Sequence, residues 1–210
     1  MYVPAHFAEQ RTEVLQQLMH EHPLGALVTL EPDGLNACHI PFEIAPASAA
    51  APHGTLRAHI ARNNPLSRNA SAAIDALVIF QGPHAYITPS WYAEKQASGK
   101  VVPTYNYATV HAYGPLRIID DAAWLQALLE RLTNRHEATR VRPWQLGDAP
   151  PDYIEKMLGA VIGIEIPLRR VTGSWKTSQN RSAADRATIA AGLRASGDAG
   201  AAAMAGLVAG

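Results

Sequence analysis

The chain has 210 residues, 48% hydrophobic and 17% charged, which supplies a sizeable core and excludes an intrinsically disordered chain. Its 18 basic residues balance its 18 acidic ones, so it lacks the broad basic footprint of a protein that grips nucleic acid over a wide surface. A single cysteine, Cys38, excludes an intrachain disulfide and a cysteine-rich metal site.

The first residues, MYVPAHFAEQRTEV, lack the charged-then-apolar pattern of a secretion signal. The uncharged apolar runs fall short of the roughly 20 residues that span a bilayer, so a cytoplasmic protein without a membrane partner is expected. Residues 9–22 place Val14, Leu15, Leu18 and Met19 on one helical face, and Pro23 stops the helix. Residues 24–30 and 35–44 read as strands joined by the turn EPDG, a hairpin. An Ala- and Pro-rich loop follows at 45–54, then a strand at 55–61 and a short helix at 63–70 with Pro65 in its first turn. Residues 75–82 and 83–89 read as two strands, and 90–97 as a helical turn or two capped by Ser90. Residues 103–120 are aromatic and β-branched, broken by Gly114-Pro115, and read as a bent strand or two strands. The spacing of Trp124, Leu125, Leu128, Leu129 and Leu132 predicts a helix over 120–137 capped by Asp120 or Asp121. A helix opened by Pro151 (151–158), a buried strand (159–168) and a helix from 183 complete the body. Residues 197–210 form a low-complexity tail, read as an Ala-rich helix or a disordered end. The order lacks regular βαβ alternation, which favours an antiparallel barrel with helices packed outside it.

Four polar groupings carry chemical interest. In HIARNNP (59–65), a strand exit beside a helix start puts Arg62 near unpaired backbone N–H groups, an arrangement suited to a phosphate. The plainer reading, an Asn cap with a solvated Arg, is the commoner one. In IFQGPHAYITPSWY (79–92), Gln81, His84, Tyr86, Ser90, Trp91 and Tyr92 mix flat rings with hydrogen-bonding groups; they would wall a planar ligand or simply fill a core. Ser90 has no G-x-S-x-G setting, which discounts a Ser–His nucleophile. In 102–114, Tyr105, Tyr107, His111 and Tyr113 share one face of a strand. A metal site from His39, His59, His84 and His111 would need four separate strands to converge, since no two of them form an H-x-x-x-H or H-x-H pair, and none is expected. In VTGSWKTSQNRSAADR (171–186), Ser182 and Asp185 make a capping box, but capping leaves Lys176, Ser178, Gln179 and Arg181 unexplained.

In chain order, MYVPAHF, AHIARNNP, FQGPHAYITPSWY, VPTYNYATVHAYG and TGSWKTSQNRSAADR resemble the motifs of the PaiB-like FMN-binding negative transcriptional regulators, over about residues 1–196. Tyr105 stands where many members have Trp, and the 45–53 loop is expanded. The resemblance implies a mainly β, α+β fold with peripheral helices: an FMN-binding split β-barrel related to pyridoxamine-phosphate oxidase and flavin reductases. It implies one domain over 1–196 followed by the 197–210 tail, and a homodimer with FMN in a cleft between subunits. It places phosphate binding at Arg62 with His59 and Asn63 beside it, and a flavin contact at Gln81. Lys176, Ser178, Gln179 and Asn180 would line the flavin or a small pocket next to it. Two other classes follow from the same relatives. One is an FMN-dependent oxidoreductase fed by a nicotinamide cofactor, although no G-x-G-x-x-G follows a strand. The other is a haem protein with His84 or His111 as axial ligand. Catalytic residues are not assigned. A direct DNA partner has no support from charge, because Arg131, Arg135 and His136 share their helix with Asp120, Asp121, Glu130 and Glu137.

Overall fold

A computed structural model describes residues 1–69, 71 and 73–210, and only the backbone of Gln96 and Ala97. The elements in chain order are β1 (Ala8–Glu9), α1 (Thr12–Glu21), β2 (Leu24–Glu31), β3 (Gly34–Pro41), β4 (Glu43–Ala45), β5 (Thr55–Ala61), α2 (Leu66–Asn69), β6 (Ala76–Ile87), α3 (Glu94–Ala97), β7 (Thr104–Gly114) and β8 (Arg117–Ile119). They continue with α4 (Ala122–Glu137), α5 (Pro151–Gly159), β9 (Val161–Pro167), β10 (Arg170–Lys176), α6 (Ala183–Ala195) and α7 (Ala199–Ala209). Among the described residues no helix is long and apolar enough to cross a membrane.

The chain divides into two compact units. One comprises Pro23–Ile79 and Ala112–Val171. Here β2 pairs antiparallel with β3 and with the first residues of β6, and the hairpin closes at Glu31↔Gly34. Gly34 has φ +128°, a conformation only glycine adopts readily, which is why the turn ends there. A second antiparallel sheet runs in the order β4-β5-β9-β8. Its buried alternation, Leu56, Ala58 and Ile60 on β5 opposite Ile166, Ile164 and Ile162 on β9, makes the core. The helix α4 lays Leu125, Leu128 and Leu132 inward, and Asp121 caps it by accepting from the Trp124 N–H at 2.9 Å.

The other unit comprises Met1–His22, Phe80–His111 and Thr172–Gly210. In it β1, β10, β7 and β6 follow one another across a sheet, with Ala8 opposite Ser174. Ile87, Tyr92, Ile189, Leu193, Met204 and Val208 form a core that α6 and α7 share. Each of these large side chains, once buried, stabilises by roughly 1.5–3 kcal/mol. Thus residues 199–209 are a packed helix, capped by Asp198 at the Ala201 N–H, and not a loose end.

Several expected elements take a different form. The two strands expected at 75–82 and 83–89 are one strand, β6. Burial alternates through Ala76, Val78, Phe80 and Gly82, then resumes at Ala85 and Ile87, so the buried face changes phase at Pro83-His84 as at a bulge. Residues 89–91 form a 3-10 turn capped by Thr88, not Ser90. The helix expected at 63–70 is four residues long, with Asn64 Oδ1 accepting from the Leu66 N–H; its last position, Ala70, lies outside the described residues. Residues 170–176, read as part of a connection, form β10. The capping box at 182–185 is half formed: Ser182 Oγ accepts from the Asp185 N–H, but Asp185 Oδ1 accepts from the backbone of Glu94.

Candidate functional site

The polar block after β10 folds into a tight turn over residues 178–181, closed by the Arg181 N–H donating to Ser178 O at 2.9 Å. Gln179 sets its shape: its Oε1 accepts from the Thr177 N–H at 2.8 Å and its amide N–H donates to Trp175 O. Ser178 sits at φ +64°, the single non-glycine residue with positive φ among those described. A left-handed serine costs about 1–2 kcal/mol and persists only when its surroundings hold it. Here the holder is Asn106 on β7, whose Nδ2 donates to Ser178 Oγ at 2.9 Å.

This turn forms the floor and one wall of a cavity of about 110 Å3. Lys176, Ser178, Asn180 and Arg181 line it from the β10–α6 side, and Tyr92, Thr104 and Asn106 from elsewhere in the same unit. Lys176 Nζ donates to Thr104 Oγ1 at 2.5 Å, and the Arg181 guanidinium lies 5.0 Å from the Tyr92 ring centroid. The polar floor is deeply buried: Asn106 is 1% exposed, Tyr92 3% and Ser178 4%. Asn106 Oδ1 and the Tyr92 hydroxyl have no hydrogen-bond partner among the described residues. A buried polar group without a partner costs about 1–3 kcal/mol, and these two belong to residues that line one small cavity.

The other expected site residues are placed differently. Arg62, expected at a phosphate, is committed within the protein. Its Nη1 and Nη2 donate to the two Asp120 oxygens at 2.9 and 2.8 Å, and its Nε donates to Gly159 O at 2.9 Å. The Asp120 carboxylate holds the Arg62 pKa above its ordinary value, and Arg62 holds that of Asp120 below. The pair is solvent-exposed, and the four-residue α2 beside it is too short to add a useful dipole. Asn63 is exposed in the turn. His59 lies instead at a separate cavity of about 420 Å3 with Leu132, His136, Glu137 and Trp144. Burial lowers its pKa, and its Nδ1 has no partner among the described residues. Gln81 is on the exposed face of β6, 3.3 Å from His84 Nδ1. There His84 stacks on Tyr105 with centroids 6.4 Å apart, and Tyr86 meets Tyr105 edge-on at 6.3 Å. A further cavity, of about 570 Å3, is lined by Val14, Leu18, Trp175 and Leu207 with Glu13 and Glu21, with no Lys or Arg among the described residues that line it. Sequence reading missed Asn106 and Thr104, and named Tyr92 only as a ring that would wall a planar ligand or fill a core. Asn106 stood inside the quoted VPTYNYATVHAYG segment, and a lone amide at a core position of a strand was the available signal.

Residues 1–170 match a family model described as "Putative FMN-binding domain". The chain belongs to this FMN-binding family. Within the FMN-binding family it is similar to an uncharacterized protein of Emericella nidulans, at 37% identity over 92% of this chain and 90% of that one. It is also similar to "Protease synthase and sporulation protein PAI 2" of Bacillus subtilis, at 32% identity over 88% of this chain and 85% of that one, in accord with the PaiB-like motifs. Among solved structures, the FAD and heme binding protein of Mycobacterium smegmatis superposes with a TM-score of 0.55 at 15% identity, over 80% of this chain and 73% of that one. The fold class is accordingly the mainly β, α+β flavin-binding split barrel. FMN is the group whose fit matters, and the cavity at Asn106 suits part of it. The Lys176 and Arg181 cations and the Ser178 and Asn180 side chains that line it complement a polar ligand edge.

Proposed function

We propose that this protein is an FMN-binding homodimer of PaiB-like negative transcriptional regulators, with Lys176, Ser178 and Asn180 forming one wall of the flavin cleft and Gln179 shaping it. The observation that carries this reading is a cavity whose lining gathers Lys176, Ser178, Asn180 and Arg181, in a chain that belongs to an FMN-binding family. When bound, FMN supplies electron-transfer chemistry that no side chain of this chain offers. The chain's own part is to bind and orient it.

Dimerisation follows from size. A drug-sized ligand occupies a pocket of about 300–1,000 Å3. The cavity, at about 110 Å3, admits one end of FMN. The remainder needs another wall, and a second copy of the chain is the wall the family resemblance implies. The exposed rings of Tyr86 and Tyr105, each about half accessible, suit such an interface. The regulatory role rests on the family resemblance, and a formally neutral chain carries it without wide phosphate contact.

The absorption spectrum of purified protein tests the cofactor. Flavin bands near ~450 nm, restored by added FMN after stripping, are expected. A colourless protein that takes up no FMN, or one showing only a haem Soret band, would overturn the reading. Light scattering with and without FMN tests the dimer, and a monomer in both states would remove it.

A further inference from the structure

Five arginines among the described residues pair with a carboxylate, Arg62 with Asp120 for one. Lys176 and Arg181 differ. Neither has an acidic partner among the described residues, and no Asp or Glu lines the cavity of about 110 Å3 that both of them line. The larger cavities, of about 570 and 420 Å3, have no Lys or Arg among the described residues that line them.

The turn at 178–181 is what brings the two cations together. Its closure, from the Arg181 N–H to Ser178 O, reverses the chain so that side chains five positions apart line one cavity. The left-handed backbone at Ser178 makes the reversal, and Gln179 fixes it through Thr177 and Trp175. Arg181 lies against the Tyr92 ring, 5.0 Å from its centroid, which positions the guanidinium without cancelling its charge. Lys176 spends one hydrogen on Thr104 Oγ1 and keeps the others. Thr104, accepting there, keeps its hydroxyl hydrogen to donate.

Two like charges that converge on a small cavity repel each other, and an anion between them replaces that repulsion with attraction. Arg181 supplies a planar pair of donors and Lys176 a point charge. Their complement is an anion of high charge with several acceptor oxygens. A phosphate monoester, with a charge of about −1.5 to −2 at neutral pH, is such an anion. Size agrees. Water takes ~30 Å3 per molecule, so about 110 Å3 is the room of roughly four waters. That suits a phosphoryl group and not a flavin ring system.

We propose that the cavity between Lys176 and Arg181 is a phosphate site, with both cations and the Thr104 hydroxyl donating to the oxygens of a phosphate monoester. Two sources offer that group: the phosphate of FMN itself, or a separate small phosphate ester bound beside the flavin. The first rests on the FMN reading above, and it moves the phosphate from Arg62, where the family resemblance implies it, to Lys176 and Arg181. The second does not need that reading.

The test uses the full-length protein, titrated with FMN and with riboflavin by flavin fluorescence, and unfolded in urea with inorganic phosphate or with chloride at equal ionic strength. The wild type is expected to bind FMN about tenfold or more tightly than riboflavin, which lacks the charge-assisted bonds. Lys176→Met and Arg181→Met are each expected to weaken FMN about tenfold and to leave riboflavin within about twofold. If the two flavins bind equally, but phosphate raises the urea midpoint of the wild type and not of either variant, the cavity holds a separate phosphate ester and the proposal stands. It falls if nothing depends on the two cations: an FMN preference that survives both substitutions, with a phosphate response absent from the wild type or retained in both variants. Equal wild-type affinity for the two flavins with no response to phosphate also overturns it, and that arm needs no variant to fold. A wild type that binds no flavin yet responds to phosphate through Lys176 and Arg181 would end the FMN reading and keep this site. Neither flavin binding nor a phosphate response would end both.

Discussion

Two polar stretches, 62–64 following β5 and 176–181 from the last residue of β10, read alike along the chain: each carries a cation and an amide and precedes a helix. Folded, they part company. At the first, Arg62 is met by Asp120 and by the Gly159 carbonyl, partners 58 and 97 positions away that no local reading supplies. At the second, burial removes water from Asn106 and Tyr92 without providing protein partners for two of their polar atoms. What the rest of the fold brings to a donor-rich turn therefore decides which of its groups are paired. The number of polar residues in it decides little.

Exchanging the two cations for neutral side chains tests this contrast most strongly at Lys176. Lys176→Met is expected to lower FMN affinity about tenfold or more, the worth of a charge-assisted hydrogen bond, with an unfolding midpoint close to wild type. A calorimetric or fluorescence titration reads it, and unchanged affinity would erase the difference between the turns.

Ser178 offers the next effect, on stability. Ser178→Ala keeps the left-handed strain and strands the Asn106 amide, for a loss of about 1–3 kcal/mol in urea unfolding. Ser178→Gly loses the same bond but relieves about 1–2 kcal/mol of backbone strain, so it should be the milder variant. The reverse order would show that the turn is not held by that hydrogen bond.

His59 should act through pH. Its pKa is lowered from 6.5 by burial, so the unfolded chain takes up its proton at a higher pH than the native one. The His59 contribution is complete above about 6.5 and declines as pH falls through that value toward the lower native pKa. His59→Gln is expected to flatten the dependence of the urea midpoint between about pH 7.5 and 5.5. His136 and Glu137 line the same cavity, so His136→Gln is the companion that separates their shares. An unaltered slope in His59→Gln would place the buried proton elsewhere.

The smallest effect is expected at Arg62. Arg62→Ala should leave FMN affinity unchanged and lower the urea midpoint slightly, and Asp120→Asn should lower it in the same direction. A large loss of FMN affinity in Arg62→Ala would restore the phosphate role that the resemblance implies for this residue.

Local pattern settled most of the elements. The heptad-like spacing of Trp124 to Leu132 and the Asp121 cap give α4, Pro151 opens α5, Ser182 caps α6, and the turn at 31–34 closes the hairpin. These depend on interactions within a few residues, which the sequence states directly. The family was legible too, because several motifs in one order are far more specific than any single one. Packing decided the rest. Residues 197–210 have too little polarity contrast for a periodicity argument, and they are a helix because Met204, Ala205 and Val208 find Ile189 and Leu193 on α6. Pro83 looked like a break between strands, but a phase shift in the buried face carries β6 through it. Which partner each cation takes was likewise undetermined by sequence: only chain closure brings Asp120 to Arg62 and Thr104 to Lys176. Hydrogen-bond satisfaction is a property of the whole fold, since a donor's partner can lie anywhere along the chain, and that is why the polar stretches were readable in the sequence and their partners were not.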